Sequence, residues 1–106
     1  MTDNLVSLDL RRFSPADIEK IRALQKKVWM MRRWCRCDLI KRDGQEHYAL
    51  YSGDRGRQPY ASYRLLRRED GAYALHDGRT DELIRQGRTI DAAIDALPDD
   101  FYFSRY

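Results

Sequence analysis

A chain of 106 residues with 42% hydrophobic and 35% charged side chains can bury one core but hardly two, so a single domain over residues 1–106 is expected. A mean hydropathy of −0.78 with this apolar fraction argues against both a disordered tail and a membrane-embedded chain. The formal charge of +3 conceals an asymmetry: residues 1–45 carry 11 basic and 6 acidic groups, and residues 46–106 carry 9 and 11.

No window approaches the roughly 18 apolar residues of a membrane helix, and Met1–Leu10 lacks the basic start and apolar run of a secretory signal, so a cytoplasmic protein is expected. Cys35 and Cys37 sit two apart, a spacing poor for a bridge, and should both be reduced.

In chain order, the alternation of Val6, Leu8 and Leu10 with Ser7 and Asp9 suggests a strand over Leu5–Leu10. The clearest local signal follows. Ser14 as N-cap, Pro15 at the first helical position, Asp17 closing a capping box and Phe13 stapling onto Ile18 predict a helix start. Its apolar stripe runs Ile18, Ile21, Leu24, Val28, Met31 and, if the helix continues, Cys35. The helix should reach at least Val28 and can extend to Trp34.

From Cys37 short extended runs take over. One ends at Asp43-Gly44, a tight-turn pair, and Glu46–Tyr51 is the returning strand. Ser52–Pro59 has the composition of an exposed loop, Tyr60–Arg68 and Ala72–His76 make a further pair joined at Glu69-Asp70-Gly71, and Gly78 ends the meander. Thr80 is expected to cap a short helical turn through Arg85, stopped by Gly87. Thr89 should cap Ile90–Leu97 ahead of Pro98, and Phe101-Tyr102-Phe103 should fold back onto the body. The expected fold is α+β: a long amphipathic N-terminal helix on an antiparallel meander of three to five strands, with one or two short C-terminal helices.

Lys20–Arg42 holds nine basic residues against Asp38 alone. On a continuous helix Arg22, Lys26, Trp29, Arg33 and Arg36 recur at steps of four and three opposite the core stripe, flanked by Lys27, Arg32 and Trp34. Cations with an indole suit phosphates and stacked bases, and they suit an acidic protein surface as well. The functional expectation is therefore a non-catalytic interaction protein whose partner is a nucleic acid or an acidic protein. Arg55 and Arg57 in the loop could add contacts.

A second reading places the interface on Tyr51, Tyr60 and the 52–59 loop, with Tyr48 and Tyr63 in the core. Cys35, Cys37, His47 and His76 could together hold zinc, but C-x-C is not the usual knuckle spacing, and no metal or cofactor is expected. Neither a phosphate loop nor a dinucleotide fingerprint occurs, nor a nucleophile elbow or zinc-protease motif. One enzymatic option is a metal-independent ribonuclease using His47, Arg64, Tyr63 and His76.

With that option the chain resembles, in size and helix-then-meander order, the ribosome-dependent toxins of bacterial toxin–antitoxin pairs. In size and lack of a catalytic signature it is also similar to small phage and mobile-element inhibitors such as anti-CRISPR proteins. Neither resemblance rests on a matched motif, so neither transfers a residue.

Overall fold

A computed structural model describes residues 12–30, 35–42, 45–52, 60–68, 70–102. Helix α1 (Pro15–Met30) precedes an antiparallel meander of β1 (Cys35–Arg42), β2 (Gln45–Ser52), β3 (Tyr63–Arg67), β4 (Tyr73–Asp77) and β5 (Leu83–Gly87), in sheet order β1-β2-β3-β4-β5. Helices α2 (Ile90–Asp95) and α3 (Asp99–Tyr102) close the described chain. The α+β expectation is met, with five strands in the sheet.

The helix starts where its caps dictate. Ser14 N–H donates to Asp17 Oδ2 at 3.0 Å and Asp17 N–H to Ser14 Oγ at 3.1 Å, a reciprocal capping box. Ile21, Leu24 and Val28 then enter a core shared with Tyr48, Leu50, Tyr63, Leu65, Tyr73 and Leu75. Phe13 joins it with its ring 5.0 Å from Tyr48 and 6.4 Å from Tyr73.

All the helices lie on one side of the sheet. Cys35 and Cys37 on β1, Tyr48, Leu50 and Ser52 on β2, Tyr63 and Leu65 on β3, and Tyr73 and Leu75 on β4 point into that layer, as strand alternation and the register require. The opposite face carries Arg36, Asp38, Ile40 and Arg42, then His47, Ala49 and Tyr51, then Arg64 and Leu66, then Ala74 and His76.

Two buried carboxylates dock the N-terminal end of α1 onto the sheet. Asp17 accepts from Tyr73 Oη at 2.8 Å and from Arg67 Nη1 at 3.1 Å, while the guanidinium lies 4.5 Å over the Tyr73 ring. Burial and the Asp17 bond push the Tyr73 phenol up to about 12. Glu46 accepts from the Phe13 N–H at 2.8 Å and pairs with Lys41 at 3.6 Å and Arg12 at 3.8 Å.

Four expectations change. The helix ends at Met30 within the described residues and Cys35 opens β1, so Cys35 and Arg36 belong to a strand rather than to a helical stripe. Residues Met31 to Trp34 lie outside the described residues, as do the suggested strand at Leu5–Leu10, the Asp43-Gly44 turn and loop residues 53–59.

The segment from Thr80 to Arg85 is not a helical turn: Leu83–Gly87 forms the edge strand β5. Asp77 Oδ1 takes the N–H groups of Arg79 and Thr80 at 2.8 and 3.0 Å, and Asp81 adopts a left-handed φ of 63°. That turn sends the chain back antiparallel to β4, and Thr80 Oγ1 accepts from Glu82 N at 3.3 Å within it. Gly78 is part of the same turn and does not end the sheet; a Cβ there would fall 1.8 Å from the Ala61 carbonyl oxygen.

At the C-terminal side Thr89 caps α2 as expected, its Oγ1 accepting from Ala92 N at 3.2 Å. The helix stops at Asp95, short of the expected Leu97, and α3 brings Phe101 into full burial.

The doubly engaged Asp17 gives the first test. Asp17→Ala removes a cap and leaves Arg67, 15% exposed, without its carboxylate, so urea denaturation should report a loss of about 3–5 kcal/mol. Breaking the solvent-exposed Lys20–Asp91 pair with Asp91→Asn should cost under about 1 kcal/mol.

Candidate polyanion interface

The residues expected to form one basic row divide between two surfaces. Arg22, Lys26 and Trp29 all lie on the exposed side of α1. Among the described residues Arg22 makes only a solvent-exposed ion pair with Glu19 at 3.7 Å, and Lys27 places its ammonium 5.0 Å over the Tyr102 ring. Arg36 is on the face of the sheet turned away from the helices, because Cys35 before it and Cys37 after it point toward them. Arg33, Arg55 and Arg57 lie outside the described residues.

The two surfaces meet at the start of β1. Trp29 is 54% exposed, yet its indole N–H donates to the Cys35 carbonyl at 3.1 Å. The next residue is Arg36, whose guanidinium lies 4.3 Å over the Tyr51 ring, its cross-strand partner, and whose Nε pairs with Asp38 at 3.0 Å. An exposed indole in a fixed orientation and a guanidinium stacked on a phenol therefore flank a single carbonyl. Exposed apolar rings usually swing freely or fold onto the surface; this one is held outward by its own polar atom.

Beyond Tyr51 the open face continues into a second group. Arg64, at the centre of the sheet, donates through Nη1 to His47 Nε2 at 3.0 Å, and His76 stands directly across the strand pair from Arg64. The acceptor role leaves His47 neutral, and burial followed by the Arg64 and Arg42 charges holds its pKa below the ordinary histidine value. His76 Nδ1 faces the Asp81 carbonyl at 3.0 Å. A carbonyl only accepts, so Nδ1 carries the proton and Nε2 is the nitrogen left over.

The remaining expected groupings come apart across the sheet. Tyr63 points into the helix side, where it is buried and donates to an Asp100 carboxylate oxygen, so it does not join His47, Arg64 and His76. The zinc quartet is split likewise: Cys35 and Cys37 face the helices and the two histidines face away. Among the described residues no group of three or more His, Cys, Asp or Glu could hold a metal.

The thiols contact each other with sulfurs 3.9 Å apart; the hydrogen bond from Cys37 pulls Cys35 down, and the same bond, with burial, pushes Cys37 up. Tyr51 is half-buried beneath Arg36, and Tyr60 is half-buried just before β3.

The pairing of Arg36 with Tyr51 and of Arg64 with His47 and His76 escaped the sequence reading, since cross-strand neighbours depend on register. The signal available was the period-two spacing of His47, Ala49 and Tyr51 beside the buried Tyr48 and Leu50. Among the described residues no helix is long and apolar enough to cross a membrane. Comparison with protein-family models, with curated proteins and with solved structures finds no match.

His47 supplies a pH test. Because its folded pKa lies below the unfolded value of about 6.5, the unfolded chain holds more protons between the two, and stability falls as pH drops through that window. The urea midpoint of the wild type should therefore fall more between pH 7.5 and pH 5.5 than that of His47→Gln, as read by far-UV circular dichroism. Equal losses would show that His47 is not held neutral.

Proposed function

We propose that the protein is a non-catalytic binding protein for an acidic macromolecule, and that the macromolecule is a single-stranded nucleic acid lying along the β1 side of the open sheet face. The observation that carries this reading is the half-exposed Trp29, pinned by its N–H to the Cys35 carbonyl beside the Arg36–Tyr51 stack. A fixed indole offers a base a stacking surface without first losing side-chain freedom, and every base has a face to stack. Lys26 and Arg22 on one side, and Arg36 and Arg42 on the other, supply cations at the spread a flexible phosphate backbone can follow.

Charge placement supports the same choice. Arg36 keeps side-chain exposure of 53% despite its Asp38 contact, and Arg42 has no carboxylate partner among the described residues. A protein interface through the sheet tyrosines has less to build with, because Tyr48, Tyr63 and Tyr73 are buried and Arg36 covers Tyr51. Strand cleavage by the open-face group would need a proton donor for the leaving oxygen. Tyr63 lies on the other side of the sheet and the His47 nitrogen facing Arg64 accepts rather than donates, so of that group His76 alone could supply one, with no second histidine placed to act as its base.

Fluorescence anisotropy of a labelled oligonucleotide at several salt concentrations tests this. Affinity should fall linearly on a log–log plot, by roughly 0.7 for each phosphate engaged. Arg36→Gln should flatten the slope by about one phosphate contact, while Trp29→Ala should weaken binding by about 1–3 kcal/mol and leave the slope unchanged. No binding to any oligonucleotide, together with capture of an acidic protein that survives nuclease treatment, would overturn the nucleic-acid reading.

A further inference from the structure

Arg64 is the central cation of the open face and its surroundings are unusual. It is half-buried on the middle strand, and among the described residues no carboxylate pairs with it; its one hydrogen-bond partner is a neutral imidazole. Elsewhere in this molecule the partly buried Arg67 is compensated by Asp17, and even the exposed Lys41 and Arg12 pair with Glu46. A guanidinium drawn partly out of water without a counter-charge is costly, and its remaining N–H groups need acceptors. An anion bound from solution supplies both.

The neighbours fit that role. His76 stands directly opposite Arg64 in the register, so their Cβ atoms are about 5 Å apart on the same face. Its ring is oriented by the Nδ1–H bond to Asp81, a residue held in the left-handed region by the β4–β5 turn. Nε2 has no partner among the described residues, and on a protonated ring it donates to an oxyanion. Ala49 and Ala74, beside these side chains on β2 and β4, are themselves covered at 1% and 0% exposure, so a ligand here meets the Arg64 and His76 side chains rather than the backbone. His47 is held away from its charged form first by burial and then by the Arg64 and Arg42 charges.

We infer that Arg64 and His76 form a phosphate subsite on the open face of the sheet, with His47 as the positioning residue that orients the guanidinium. The ligand class is a phosphate group, either free or as one link of a nucleic-acid strand. The subsite rests on the polyanion reading above and gives it a location: Tyr51 follows Ala49 on the same face of β2, and Ala49 pairs with Arg64, so a strand stacked at Trp29 and Arg36 can reach Arg64 with a neighbouring phosphate. Phosphate binds here by charge-assisted hydrogen bonds, and no bond in the ligand breaks.

Titration of the full chain with inorganic phosphate, followed through the histidine ring protons by NMR, tests the subsite. Saturable shifts of both His76 and His47 are expected, with at least a tenfold loss of affinity in Arg64→Gln and partial retention in Arg64→Lys. His47→Gln, whose amide oxygen can still accept from Arg64, should retain phosphate binding that His47→Leu loses, a rescue that general loosening of the fold would not produce.

If phosphate leaves both rings unmoved while an oligonucleotide still binds in a Trp29-dependent way, the subsite is wrong and the edge reading survives. If phosphate binds through Arg64 but no oligonucleotide does, the subsite stands and the nucleic-acid reading falls. Phosphate shifts that persist unchanged in Arg64→Gln would overturn the assignment.

Discussion

The phase of strand β2 governs everything functional in this molecule. With Tyr48, Leu50 and Ser52 turned toward the helices, His47, Ala49 and Tyr51 must face the other way, and a slip of one residue would exchange the two sets. Buried polar bonds hold that phase at both ends of the strand. At one end Glu46 accepts the Phe13 N–H at 2.8 Å; at the other Ser52 Oγ donates to the Phe101 carbonyl at 2.6 Å, and Ser52 N–H donates to Ser62 Oγ at 3.2 Å. Each bond satisfies groups that water cannot reach, so a shifted register would forfeit them together.

That constraint also sorts charge. The buried carboxylates Asp17 and Glu46 both lie on the helix side and are neutralised there by Arg67, Lys41 and Arg12. The acidic side chains Asp91, Asp95, Asp99 and Asp100 belong to the C-terminal helices, on the same side of the sheet. The open face is left with Arg36, Arg42 and Arg64 against Asp38. The open face thus carries a positive balance of its own, and local charge rather than net charge steers an anionic partner.

Much of the architecture was legible in the sequence because local chemistry determined it. Ser14, Pro15 and Asp17 marked the helix start, Thr89 marked α2, Gly71 with its φ of 86° marked the β3–β4 turn, and alternation placed Tyr48 with Leu50 and Tyr63 with Leu65. The end of α1 was not legible, since Trp29 to Arg36 has no helix breaker and the basic periodicity suits a helix. Strand alternation reassigns Arg36 to the sheet. At Thr80 the Thr-Asp-Glu run imitates an N-cap, while Asp77 and the left-handed Asp81 turn the chain into a strand. The candidate site was half visible: Trp29, Arg36 and Tyr51 were singled out for a partner, but their adjacency and that of Arg64 to both histidines are cross-strand facts set by register.

The most direct measurement is a map of backbone amide and indole shifts in the isotope-labelled protein as a short single-stranded oligonucleotide is added. Perturbations should concentrate on the Trp29 indole, Arg36, Tyr51, Arg64 and His76, with Asp91 to Ala96 undisturbed. Shifts centred on α2 and β5, or none at saturating oligonucleotide, would contradict the assignment of the open sheet face to a polyanion.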